Sequence, residues 1–150
     1  MTSQHETLDQ NREFLARLLA AQSFYQILHN QKPMKEVVQE MLERGLQTDD
    51  GEDIKVKPNG GLYKKIMFNL DDRLPEVEEI LRSYTKDKPL ESLLKSIMLC
   101  GICEILMHTD TDAPVIINDY LDVTHEFYEK KQVAFVNGVL DAISGVVRAA

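Results

Sequence analysis

The sequence has few cysteines and no long apolar run, and both absences exclude classes of protein. Only two cysteines occur among its 150 residues, three positions apart, which rules out the disulfide framework of a small secreted protein. No apolar stretch approaches the roughly 20 residues that a membrane-spanning helix needs. The first ten residues lack the basic and then apolar pattern of a secretory signal. We therefore expect a cytoplasmic protein that makes no membrane contact.

The motifs that carry catalysis are also missing. There is no glycine-rich phosphate loop and no nucleophile elbow. Cys100 and Cys103 form a CxxC, but their apolar neighbours predict the middle of a helix, whereas a reactive thiol favours a helix N-terminus. A zinc site would need two further ligands, and no second cysteine pair is present. We expect both cysteines to be core residues and the protein to have no enzymatic activity.

Two polar segments carry residues that also occur in metal sites. The segment from His108 to Asp112 holds a histidine and two carboxylates, but Asp and Thr are equally typical of a loop that precedes a helix. Residues 49–53 are acidic, yet they lack the alternating ligand spacing and distal glutamate of a calcium loop. We expect no metal ion and no cofactor.

The charge balance is acidic but uneven. With 25 acidic and 17 basic residues, the formal net charge of −8 argues against indiscriminate binding to polyanions. Two groups of lysines stand out: Lys55, Lys57, Lys64 and Lys65 in an acid-free stretch, and the pair Lys130 and Lys131. Ordinary surface charge explains each lysine by itself. The two groups would form a site only if the fold brought them together.

Apolar residues recur at helical spacing along almost the whole chain, and no segment alternates with the period of a strand. This pattern predicts one all-α domain with about seven helices in two packed subdomains, over 8–85 and 89–149. The helical segments are predicted at 14–28, 33–42, 62–70, 74–84, 89–106, 114–127 and from about 133 onward. Gly45 is expected to end the second helix. The polar segment 47–61 is expected to be a long loop.

The last predicted helix has two different sides. An apolar stripe comprises Val136, Val139, Leu140, Ile143 and Val147. The opposite side holds small residues: Ala134, Gly138, Ala142 and Gly145. Because glycine costs about 1 kcal/mol against alanine inside a helix, Gly138 predicts the close approach of another helix. We therefore expect this helix to pack on both sides.

Four segments carry a resemblance to the NusB family. Residues 135–141 read Phe-Val-Asn-Gly-Val-Leu-Asp, which matches the C-terminal signature of that family over seven consecutive positions. Residues 115–119, Val-Ile-Ile-Asn-Asp, resemble its Val-x-Ile-Asn-Glu. Glu104, in Cys-Glu-Ile-Leu, corresponds to the glutamate of its Tyr-Glu-Leu-Leu. Ala16-Arg17, followed by Ala-Ala-Gln-Ser-Phe-Tyr-Gln at 20–26, looks like its Ala-Arg-x-x-Ala-x-Gln-Ala-Leu-Tyr.

The resemblance implies an all-α fold of two helical subdomains and a bacterial transcription antitermination role. NusB proteins bind the boxA element of single-stranded nascent RNA together with the ribosomal protein NusE. This complex helps RNA polymerase to read through terminators, notably during ribosomal RNA synthesis. NusB-like domains also occur fused to RNA methyltransferases. The 150 residues of this sequence contain no cofactor-binding segment, which argues against a methyltransferase activity.

The resemblance also implies site residues. The expected RNA contacts are Arg12, Arg17 and Phe135, with Lys130 and Lys131 as supporting charges. The alternative for Arg17 is an ordinary solvated residue on the surface of the first helix. The expected structural or partner-facing motif residues are Glu104, Asn118, Asn137, Gly138 and Asp141. For Phe135 two interpretations stay open, because a phenylalanine at the margin of the apolar stripe either stacks an RNA base or packs against the neighbouring helix.

The chain departs from the family pattern at positions that concern RNA. NusB proteins typically carry a run of arginines at the start of the first helix, where this chain keeps Arg17 in place and Arg12 nearby. Leu99 stands where an arginine is often found. Since each lost phosphate contact weakens binding, two hypotheses follow. One is an RNA and NusE adaptor, and the alternative is a helical interaction module that keeps NusE but has lost useful RNA binding.

Overall fold

The computed structural model describes residues 4–46 and 56–149, and this part of the chain contains helices and no strand. The six helices are α1 Gln4–Asn30, α2 Met34–Arg44, α3 Gly60–Thr85, α4 Ser92–Met107, α5 Ala113–Phe127 and α6 Lys130–Val147. The predicted all-α class is confirmed. The predicted loop over 47–61, with its acidic segment 49–53 and Lys55, lies largely outside the described residues.

The seven predicted helices become six because two of them are one bent helix. The segments predicted at 62–70 and 74–84 both belong to α3, which bends at Arg73, where φ is −112° and ψ is 16°. Pro75 follows two residues later and has no N–H to donate to a preceding carbonyl. The bend accommodates the proline near the start of the second segment, so the chain continues without a loop.

Local sequence signals account for several helix ends. The Asn59 Oδ1 atom accepts a hydrogen bond of 2.9 Å from the Leu62 N–H at the start of α3. Gly45 ends α2 at φ 70°, and its N–H donates to the Met41 carbonyl at 2.9 Å, as the sequence predicted. Pro114 lies in the first turn of α5, where a proline is tolerated.

Helix α4 is the central element of the fold. It packs against α1, α3, α5 and α6, and eleven of its sixteen residues are buried, which explains its apolar residues on every side. The closest approach is at Gly101, where a Cβ atom would lie 3.1 Å from Leu140 Cδ1 of α6. A larger residue at this position of α4 would require Leu140 to shift by a few tenths of an ångström, so α6 packs closely on α4 here.

Helix α6 packs on one side only, so the prediction of two-sided packing is wrong. Val136, Val139, Leu140 and Ile143 are buried as predicted. The small residues of the opposite side are exposed: Ala134, Gly138, Ala142 and Gly145. A Cβ atom at Gly138 would meet nothing within 4 Å. The close approach expected at Gly138 occurs instead at Gly101, because α6 lies at the edge of the bundle and α4 at its centre.

One continuous apolar core contains residues from all six helices. Its largest fully buried side chains include Tyr63 of α3, Tyr120 of α5 and Phe24 of α1. The boundary predicted between 8–85 and 89–149 falls in the link between α3 and α4 and stays a prediction. Within the described ranges, none of the helices combines the length and the apolar character that crossing a membrane requires.

Candidate nucleic-acid interface and the buried polar network

A buried polar network joins α1, α4 and α5. Glu104 of α4 is fully buried, and both of its oxygens accept hydrogen bonds from Arg17, with distances of 2.8 Å from Nε and 3.0 Å from Nη2. The Tyr120 hydroxyl donates to Glu104 Oε2 at 2.6 Å. His108 Nδ1 lies 2.8 Å from Glu104 Oε1. In the tautomer that carries its proton on Nδ1, His108 donates to Glu104, and its Nε2 atom accepts a hydrogen bond of 3.3 Å from the Asn69 amide. The carboxylate is thus fully satisfied.

These contacts set the protonation of the network. Burial by itself would raise the pKa of Glu104, but hydrogen bonds from His108 and Arg17 and the charge of Arg17 hold it below its ordinary value. Burial and the Glu104 charge raise the pKa of Tyr120 well above its ordinary value, so the phenol remains a donor. Burial raises the pKa of Asp119, which the hydrogen bond from Arg17 only partly offsets.

Arg17 lies inside this network rather than on the surface. It is 3% exposed, and its third donor, Nη1, binds Asp119 Oδ2 at 2.8 Å. The predicted phosphate contact at Arg17 is therefore corrected, because all three guanidinium nitrogens already bind carboxylates. Sequence reasoning missed this because its partners lie 87 and 102 positions away. Glu104, predicted to be structural or partner-facing, is structural.

His108 differs from the ordinary loop residue that the sequence predicted. It is 1% exposed, and its backbone carbonyl accepts a hydrogen bond of 2.9 Å from Arg148. The Arg148 guanidinium also donates to the carbonyls of Ile105 and Thr111, at 3.0 and 2.6 Å. The arginine at the end of α6 thereby satisfies carbonyls at the C-terminal end of α4. No group of three potential metal ligands occurs within the part of the chain described.

The CxxC is part of the core, as predicted. Cys100 and Cys103 are both 0% exposed and unpaired in the middle of α4. Burial raises the pKa of Cys103 to about 12 and raises the pKa of Cys100 as well. These thiols lack the electropositive, accessible surroundings of reactive cysteines.

The link that precedes α4 brings a lysine onto an aromatic residue of α6. Phe135 of α6 is partly buried against the core, and Lys88 Nζ lies 5.1 Å from its ring centroid. This distance is that of a cation–π interaction. Lys130 and Lys131 are exposed in the first turn of α6, and Lys131 precedes Phe135 by four residues, which puts the two on neighbouring positions of the helix. Phe135 thus packs partly against the core, as one interpretation predicted, and lies beside lysines, as the interpretation of a base-stacking residue predicted.

The predicted RNA contacts do not form one cluster. Arg17 binds Glu104 near the end of α4, whereas Phe135 lies beside Lys88, before α4 begins. At 1.5 Å per residue the helix separates these two places by roughly 18 Å. Arg12 is exposed one to two turns before Arg17 on α1, at the Glu104 end. Lys130, Lys131 and Phe135 are brought together, and Arg12 is not among them.

The two lysine groups of the sequence also lie on different parts of the fold. Lys64 and Lys65 are exposed on the first segment of α3, a helix that packs mainly on α4, α1 and α2 and only slightly on α6. Lys130 and Lys131 begin α6, which packs mainly on α4 and α5. Lys57 is exposed in the link before α3. The convergence that would have made the two lysine groups one site is therefore not supported, and ordinary surface charge remains the interpretation of Lys57, Lys64 and Lys65.

The remaining motif residues are accessible. Asn118 is exposed and lines a groove of about 460 Å³, together with Glu13, Asp119 and Val115 among others. On α6, Asn137, Gly138 and Asp141 are exposed on the side that no helix of the described residues covers. The seven-residue signature thus contains three buried residues that hold α6 on the core, the partly buried Phe135, and three exposed residues.

Together these features define an all-α helical bundle, with lysines beside an aromatic ring at the start of α6 and an exposed face of α6 that no helix of the described residues covers. Comparison with known proteins agrees on the family. The model of the NusB family matches residues 15–145, and this chain belongs to that family. Because the NusB family is not a family of enzymes, the prediction of a non-enzymatic protein is confirmed.

Individual relatives span nearly the whole chain. The transcription antitermination protein NusB of Rickettsia conorii is 30% identical over 143 residues, which cover 89% of this chain and 92% of the relative. That of Rickettsia typhi is 28% identical over 141 residues, with the same coverage. The solution structure of NusB from Aquifex aeolicus superposes with a TM-score of 0.69 at 18% identity, and covers 93% of each chain, which shows a shared fold.

Proposed function

We propose that this protein is a transcription antitermination factor that binds boxA-type single-stranded RNA together with NusE. It acts in the cytoplasm within the RNA polymerase antitermination complex and supports ribosomal RNA transcription. Membership of the NusB family and the names of its Rickettsia relatives support this role.

The observation that carries RNA binding is the surface at the start of α6, formed by Phe135, Lys88, Lys130 and Lys131. Single-stranded nucleic acid is commonly bound by aromatic rings that stack bases, beside cations that contact the backbone. This surface offers both within one helix end, because Lys131 and Phe135 are four residues apart. We call it the α6 start surface.

The affinity for RNA alone is expected to be low. The net charge of −8 opposes the approach of a polyanion, and the Arg17 guanidinium is held by carboxylates. A second component that binds both the protein and the RNA would overcome this deficit. The exposed face of α6 with Asn137, Gly138 and Asp141 is the candidate contact for NusE.

The alternative is a protein-interaction module that keeps NusE and has lost useful RNA binding. The specific observation in its favour is Arg17, the one residue that retains its place in the family's arginine run and that makes internal ion pairs here. The two hypotheses differ only in whether the α6 start surface adds affinity for RNA.

A titration of labelled boxA-type RNA, with and without NusE, separates them. The variant Lys130→Glu with Lys131→Glu reverses two charges of the α6 start surface, and Lys64→Glu with Lys65→Glu makes the same charge change on exposed α3 positions. We expect tight binding only with NusE, and a larger loss for the α6 variant. If NusE binds but adds no RNA affinity, the alternative is correct. If both variants lose RNA affinity equally, RNA binding does not depend on the α6 start surface.

A further inference from the structure

The link between α3 and α4 holds Lys88 in an unusual backbone setting. Lys86 and Asp87 are consecutive non-glycine residues with positive φ, 53° and 58°, in the left-handed region. L residues adopt this conformation at a cost, so two in succession need a surrounding structure that maintains them. The Asp87 N–H donates to the Arg82 carbonyl at 3.2 Å, and the Lys88 N–H donates to the Thr85 carbonyl at 3.0 Å.

This turn directs the Lys88 side chain toward α6. The Lys88 residue is exposed, yet its ammonium lies 5.1 Å from the centroid of the Phe135 ring. The ring also packs against the apolar core, which leaves its uncovered area limited. In the protein without RNA, the Lys88 ammonium therefore lies over the face of the Phe135 ring on which a base would stack.

We infer that Lys88 is a further RNA contact, which covers the Phe135 ring in the free protein and binds the phosphate of the nucleotide that stacks there. This inference rests on the proposed RNA binding and adds a residue that the family motifs do not contain. Lysine suits both the free and the RNA-bound state, because its flexible stem lets the same ammonium leave the Phe135 ring and reach a phosphate oxygen of the RNA a few ångströms away.

Charge favours the exchange. An ammonium over an aromatic face at an exposed site is held weakly, whereas a phosphate offers a full opposite charge and releases counterions. The ring vacated by Lys88 then gains a base, which every nucleotide can supply. Lys88 and Phe135 thus act as a unit, and removing one makes the other less effective.

The experiment compares Lys88→Met with Lys86→Met, a control that removes a positive charge two residues away in the same link. Methionine keeps the length and apolar stem of lysine. With boxA-type RNA in the presence of NusE, Lys88→Met should weaken binding by roughly tenfold at low salt, as expected for one charged hydrogen bond. The salt slope should fall by about 0.7, the value for one phosphate of a single strand, and Lys86→Met should leave the slope unchanged.

A double-mutant cycle with Phe135→Leu tests whether the two residues act together. Because both bind one nucleotide, the combined variant should lose less affinity than the product of the single losses. Equal slopes for Lys88→Met and Lys86→Met, or simple multiplication of the losses, would overturn the role of Lys88 while RNA binding stands. Absence of RNA binding by the unmodified protein with NusE would overturn the proposed function, and the role of Lys88 with it.

Discussion

Arg17 and Glu104 are joined by two parallel hydrogen bonds, 2.8 and 3.0 Å long, between residues 87 positions apart in the chain. Both side chains are buried, so the pair lies away from water and ties α1 to α4. The bidentate geometry uses the planar fork of arginine, which lysine cannot reproduce. Asp119 accepts a hydrogen bond from the third guanidinium nitrogen, Nη1, and so connects α5 to the same polar network.

The first prediction is that Glu104→Gln strongly destabilises the protein. The amide removes the negative charge while Arg17 remains buried, and breaking a buried ion pair by one partner costs about 3–5 kcal/mol. The free energy of unfolding is measured by urea denaturation. The matched control is Glu76→Gln, which breaks the exposed Arg73–Glu76 pair and should cost about 0.5 kcal/mol or less. Equal losses for the two variants would contradict the structural role of Glu104.

The second prediction concerns acid unfolding. The pKa of Glu104 is lowered from 4.5, so its contribution to stability is present above pH 4.5 and is lost as the pH falls through the lowered value. Asp119 has the opposite effect on the pH dependence of stability. Because its pKa is raised from 3.8, its protonated form favours the folded state at low pH, and this contribution to stability is lost as the pH rises through the raised pKa. Stability should therefore depend less on pH in Glu104→Gln and more steeply in Asp119→Asn. Urea denaturation at a series of acidic pH values measures both slopes, and identical slopes in all three proteins would refute the assignment.

How much the sequence could predict depended on whether a signal was local. Pro33, Gly45 and Pro114 mark helix ends or starts in the sequence, and the structure has them there. The bend at Arg73 has a local signal in Pro75, but a proline does not by itself show whether the chain bends within one helix or separates two helices. The site was predicted in part, because Lys130, Lys131 and Phe135 are neighbours on one helix. Arg17 was misassigned because its role depends on carboxylates distant in sequence.

The third prediction is that Cys100 and Cys103 do not react in the folded protein. Burial raises the pKa of both thiols, and neither sulfur is accessible. A thiol reagent should label the native protein only as fast as it unfolds, and should label both residues at once in denaturant. The double variant Cys100→Ala, Cys103→Ala should lose roughly 1–3 kcal/mol of stability and keep its partner binding. Rapid labelling of the native state would contradict the buried placement.

The last prediction compares the glycines of two packed helices. Gly138→Ala adds a methyl group where nothing lies within 4 Å, so the variant should gain about 0.5–1 kcal/mol from helix propensity. Gly101→Ala places its Cβ 3.1 Å from Leu140 Cδ1, inside a core where Leu140 has little room to move. Overpacking of this kind costs about 1–3 kcal/mol, which should outweigh the gain in propensity. Urea denaturation should therefore move the two variants in opposite directions. A stabilised Gly101→Ala would mean that α6 shifts freely against α4. If Gly138→Ala is more stable and yet binds NusE less tightly, the glycine is needed by the partner rather than by the fold.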